Sequence, residues 1–167
     1  LLNVIWLTPQ MESLFLDGSK VRRKFLDRIV YNFDTKHAKR TTKYEHLVRE
    51  RNKSLAQIDW QSHSSWLSTL EQQIAEEAKA IDKARRDAVS LMQKTINKLE
   101  TEFPKASLEI SKLVEDQEGW KDFLDKYREI MEANRKKDSY SGRTNFGVHK
   151  SDLLVSHQLK NRPAKIC

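Results

Sequence analysis

Residues 64–102 read SSWLSTLEQQIAEEAKAIDKARRDAVSLMQKTINKLETE, and nothing in them interrupts a helix. Leu67, Leu70, Ile74, Ile81, Ala84, Ala88 and Leu91 recur at the three- and four-residue spacing that lines one helical face. Glu77 and Thr95 occupy seam positions, so the heptad is imperfect. At 1.5 Å per residue such a helix approaches about 60 Å. A helix that long with one apolar stripe must lie against something, and its neighbour in sequence is the nearest candidate. Asp34 caps that neighbour, a helix over about 35–57 whose sparse apolar positions are Ala38, Tyr44, Leu47, Val48 and Leu55. The pair reads as an antiparallel helical arm spanning about 35–102, broken at DWQSHSS (59–65). Trp60 and Trp66 flank the break and are expected to pack the tip.

Working outward, residues 2–8 are rich in Val, Ile and Trp and read as a strand, and Thr8-Pro9 then opens a short helix to about Leu16. Asp17-Gly18 turns the chain and Ser19 caps the next helix, with Val21, Phe25, Ile29 and Phe33 as its stripe, widened by Leu26 and Val30. Beyond the arm, Pro104 stops the helix and ASLEIS alternates like a strand. Asp116 caps a helix over about 117–134, and KKDSYSG (136–142) reads as a polar, mobile loop. RTNFGV, DLLVSH and AKI are short strand candidates, the last two joined by a turn at Lys160-Asn161. So few strands make no stable sheet alone and call for partners outside this sequence.

The 167 residues carry 33% charged side chains, with only four glycines and three prolines, a composition that favours long helices. Net charge is +7, but residues 19–53 alone hold twelve Lys or Arg against four acids, an attraction for polyphosphate or a solvated face. No apolar run approaches a membrane span, and the single cysteine, Cys167, makes a reducing, cytoplasmic setting the expectation. There is no Gly-rich phosphate loop, no metal-spaced histidine pair and no Gly-flanked nucleophile, so no catalytic apparatus is visible and no ATP hydrolysis is expected of these residues alone.

WLTPQMESLFLDGSKVRRKFLDRIV (6–30) resembles the RecF family of DNA replication and repair proteins, ATP-binding relatives of SMC and Rad50. Pro9, Leu14, Phe15, Gly18, Arg22, Arg23, Phe25, Leu26 and Asp27 match its pattern, while Gln10, Asp17 and Ser19 depart. YEHLVRERNKSL (44–55) is similar to the segment opening the family's arm. GRTNFGVHKSDLLV (142–155) matches at Gly147, His149 and Asp152 and departs at Val148, Lys150 and Ser151.

The resemblance implies a mostly α chain, with the long antiparallel arm inserted between a few strands of an incomplete ABC-type α/β head. Residues 1–18 would form the head's edge, 19–134 the helical lobe, and 135–167 the return strands. It implies the middle of a longer protein, with ATP and magnesium bound by the complete polypeptide and none by this stretch. It further implies an ATP-dependent homodimer on DNA, single-stranded or at gaps, with partners of the RecO and RecR type and no membrane.

Gln10 and His149 are the nucleotide-associated candidates, Gln10 because that junction approaches magnesium and the attacking water in such ATPases. Arg22, Arg23, Lys36, Lys39, Arg40, Lys43, Arg49 and Arg51 are the phosphate-contact candidates. On a helix, positions 36, 40 and 43 share a face, as do 39 and 43, while Arg23 and Asp27 stand four apart and can pair instead. Two readings compete: a non-enzymatic helical protein-interaction module, and an inactive product of a split gene.

Overall fold

The computed structural model describes residues 14–113 and 122–164. The expected strand at 2–8, Gln10, Asp116, Trp120 and most of the AKI segment lie outside the described residues. The elements in order are α1 (Ser19–Tyr31), α2 (His37–Leu55), α3 (Ser64–Lys98), β1 (Ala106–Ile110), α4 (Phe123–Ala133), α5 (Arg135–Ser141), β2 (Leu153–His157) and β3 (Arg162–Pro163). The chain is mostly helical, with one small antiparallel sheet ordered β1-β2-β3.

It divides into two compact units, one of Leu1–His37, Lys83–Ser111 and Ser151–Cys167, the other of Ala38–Asp82 and Lys112–Lys150. Each unit has its own core. In the sheet unit, Ile110 pairs with Leu153 and Leu108 with Val155, so the pleat puts all four on one face. Leu26 and Val30 of α1 and Ala88 and Val89 of α3 cover that face. Helix α1 is therefore a sheet-packing helix. Its stripe is rotated from expectation: Leu26, Ile29 and Val30 are buried, while Val21 and Phe33 are exposed.

In the helical unit, Lys43 pairs with Glu77 and Arg51 with Glu71, so numbers fall along α3 as they rise along α2. The two helices are antiparallel. Tyr44 and Leu47 pack with Leu70, Ile74, Ala78 and Ile81, and Phe123, Tyr127 and Met131 of α4 complete the core. Each such side chain taken from water contributes about 1.5–3 kcal/mol. Asp34 acts at the start of α2 as expected, its Oδ1 accepting from the Lys36 backbone N–H at 2.9 Å. A 3-10 turn, Trp60–His63, leads into α3. The tip is not sealed by its tryptophans: Trp60 is half-buried, and Trp66 is 52% exposed.

Two local expectations are overturned. The KKDSYSG segment is helical up to Ser141, because Arg135 and Asp138, the first and fourth residues of α5, are buried and ion-paired. Gly142 ends α5 in the left-handed conformation, φ +65°. RTNFGV forms turns rather than a strand: the Asn145 N–H donates to Asp138 Oδ1, and the Lys150 N–H to the Gly147 carbonyl.

Candidate nucleic-acid interface

The candidate surface is the outer side of α2, and it exists because the inner side is taken. Tyr44, Leu47, Arg51 and Leu55, spaced three, four and four, form the buried stripe. Lys39, Lys43 and Arg49 are left exposed and Arg40 half-buried. Lys39 and Lys43 stand one turn apart on a shared edge, as expected. Lys36 is exposed but precedes the first residue of α2 and falls in the sheet unit, so the anticipated face of 36, 40 and 43 is not a helical face.

Lys43 Nζ lies 2.6 Å from Glu77, a hydrogen bond that raises the lysine's pKa. Arg49 stands 4.0 Å from Glu45. Such solvent-exposed pairs contribute about 0–1 kcal/mol and are screened by salt, so a phosphate can replace the carboxylate at small cost.

Arg51, grouped with these cations in the sequence reading, is not a surface residue. Its exposure is 0%. Nε donates to Glu71 at 2.9 Å, Nη1 to Asp138 at 2.8 Å and to Thr144 Oγ1 at 2.9 Å, and Nη2 to the Met131 carbonyl at 2.7 Å. Arg135 holds the other side of Glu71, at 2.6 Å. Burial works against the Arg135 charge, and the Glu71 hydrogen bond outweighs it, raising the pKa. Two cations and two carboxylates thus balance inside the unit. Helix α5 is bolted to α2 and α3.

His149 is likewise committed. Its Nε2–H donates to the Thr144 carbonyl at 2.9 Å, leaving Nδ1 to accept from the Tyr44 hydroxyl at 2.8 Å. Both ring nitrogens are hydrogen-bonded within the unit, and His149 ties the Thr144 carbonyl to the Tyr44 hydroxyl. The Tyr44 hydroxyl lies 3.3 Å from that of Tyr127, whose pKa burial pushes well above its ordinary value. Both hydroxyls close over Gly147 at φ +137°, where a Cβ would collide with Tyr44 and come within 2.6 Å of Tyr127. That position requires glycine.

In the sheet unit, Arg22 and Arg23 also turn inward. Arg22 grips Asp152 with two bonds of 2.8 Å, and Arg23 donates to the Ser151 carbonyl at 2.7 Å. Arg23 does not pair with Asp27. Arg85 takes that carboxylate with bonds of 2.8 and 2.9 Å, and His37 Nε2–H adds another of 2.8 Å. Burial pushes the Asp27 pKa up, but the His37 and Arg85 bonds prevail and leave it below the ordinary aspartate value. The motif arginines at 22 and 23 hold the segment after Lys150. Arg85 and Asp138 were not anticipated. Their signal is helical phase: each falls on a buried stripe where a charge needs a buried partner.

An antiparallel arm, a sheet-packing helix and a small sheet define the class: a mostly α chain that fits part of an ABC-type head. No family model matches the sequence. Curated relatives do. RecF of Rickettsia bellii (strain OSU 85-389), a DNA replication and repair protein, is 47% identical over 167 residues, covering 99% of this chain and 46% of the relative. RecF of Rickettsia felis is 47% identical over 99% of this chain and 45% of its own length. A solved RecF–ATP structure, a recombination mediator of the RecFOR pathway, superposes with TM-score 0.83 and 18% identity over 96% of this chain and 44% of that one. A second, with ATPγS, gives 0.75 and 19% over 90% and 42%. The chain belongs to the RecF family of DNA replication and repair proteins, and it spans somewhat less than half the length of the relatives it matches.

Proposed function

We propose that this chain supplies the helical lobe and an adjoining part of the head of an ATP-controlled DNA-binding protein. It works on single-stranded DNA or gap junctions in replication and recombinational repair. The helical unit is the lobe, carrying Lys39, Arg40, Lys43 and Arg49 to phosphate, while the sheet unit, with Lys36 at its margin, belongs to the head. Arg22, Arg23 and Arg51 leave the DNA-contact set and act as internal ties. Identity of 47% across 99% of the chain is the observation that carries this reading.

ATP and magnesium enter through the rest of the complete protein. Gln10 keeps its role as the link between nucleotide state and lobe. ATP closes a homodimer, and RecO- and RecR-type proteins are the partners. No helix among the described residues is long and apolar enough to cross a membrane.

The test is an anisotropy titration of the complete protein with labelled DNA, with and without ATP. Affinity that falls steeply with salt supports the reading. One observation favours a protein-binding arm instead: Ile58 is fully exposed and Trp66 half so beside the tip turn. Salt-insensitive binding to a protein, with no DNA affinity, would establish that alternative.

A further inference from the structure

Helix α5 turns two unlike faces outward and inward. Arg135 and Asp138 are buried, whereas Lys136, Lys137 and Tyr140 stand in solvent, followed by exposed Arg143 just past the helix end. Tyr140 is 81% exposed, one turn from Lys136 and three residues from both Lys137 and Arg143. Asp138 is the one acid between Glu132 and Asp152, and it is spent on Arg51 and Asn145. The outward face therefore has no carboxylate of its own. Among the described residues Lys136, Lys137 and Arg143 make no ion pair, whereas Lys43, Arg49 and Lys53 on α2 each face an acid.

A lone exposed tyrosine is ordinary. Here the ring is flanked by three unpaired cations, and the segment presenting it is locked by buried charge pairs. Cations that give up no carboxylate are the ones phosphate takes most readily. An aromatic face in water is a stacking platform for a base, and only unstacked bases reach it. An acidic peptide would use the cations but leave the ring idle.

We propose that Lys136, Lys137, Tyr140 and Arg143 form a contact for single-stranded DNA, a base stacking on Tyr140 with its flanking phosphates on the cations. This rests on the DNA-binding reading above and assigns it a surface separate from the outer face of α2.

The test is an anisotropy titration of the complete protein with labelled oligo-dT and with a duplex of equal length. Tyr140→Ala is expected to weaken oligo-dT binding about 5- to 150-fold, the range for one stacked base, and duplex binding by less than about twofold. Tyr140→Phe, which keeps the ring, should stay within about twofold of wild type on both. Lys136→Gln with Lys137→Gln should reduce the slope of log affinity against log salt by about 1.4 on oligo-dT. An unchanged oligo-dT affinity in Tyr140→Ala overturns the inference and leaves the DNA-binding reading standing. Equal losses on both probes overturn the stacking contact, and no binding by the wild-type protein sinks both.

Discussion

Replacing Arg51 with methionine probes the helical unit at its most constrained point. The guanidinium is fully buried and makes four hydrogen bonds, two of them to carboxylates that are themselves nearly inaccessible. Methionine fills similar volume but leaves two carboxylates facing one remaining cation, Arg135. Glu71 keeps Arg135, so the uncompensated charge falls on Asp138, whose remaining donors are the two Asn145 nitrogens. Breaking one side of a buried pair costs about 3–5 kcal/mol. With a urea dependence of about 2 kcal/mol per M, the midpoint should fall by roughly 1.5–2.5 M. Trp60 and Trp66 lie in this unit and report its unfolding by fluorescence. Adding Asp138→Asn removes the stranded charge and should recover about 1–3 kcal/mol as coupling between the two sites. A loss within about 0.5 kcal/mol for Arg51→Met, the behaviour of a surface substitution, would refute the buried network. So would strict additivity of the two changes.

Two further outcomes follow from the same geometry. The folded-state pKa of Asp27 lies below its ordinary value, so its bonds to Arg85 and His37 stabilise the sheet unit above about pH 4 and are lost as pH falls through the lowered pKa. Asp27→Asn should cost about 1.5–3 kcal/mol at neutral pH and flatten the acid limb of stability against pH; an unaltered acid limb contradicts the pairing. Gly147→Ala combines strain at positive φ with collision against two tyrosine hydroxyls and should destabilise by about 2–4 kcal/mol, measured by thermal melting. An alanine variant melting with the wild type would mean the turn at Gly147 is not as described.

What was legible in the sequence was whatever rests on local periodicity. The start of α3 at Ser64, the antiparallel pairing with α2 and the strand at ASLEIS follow from spacing and breakers within a few residues. Leu91 shows the limit: it continues the heptad yet is 47% exposed, because the element packed there is a narrow sheet rather than a second long helix. Arg51 shows another. Its charge argued for solvent, while its phase with Tyr44, Leu47 and Leu55 argued for the core. The partners that settle the matter, Glu71 and Asp138, lie 20 and 87 residues away. The same distance effect hid α5: KKDSYSG is polar and glycine-ended, and only Arg51 and Glu71 make a helix of it. Arg22 was legible as part of a motif but not as a tie, since Asp152 is 130 residues further on.

Whether the outer face of α2 meets phosphate is read from the salt dependence of DNA binding in the complete protein. The comparison is between wild type and the triple variant Lys39→Gln, Lys43→Gln, Arg49→Gln. Three lost phosphate contacts should reduce the slope of log affinity against log salt by about 2–2.7, with the fold unaltered by circular dichroism. Superimposable slopes for the two proteins would contradict the claim and place the DNA elsewhere.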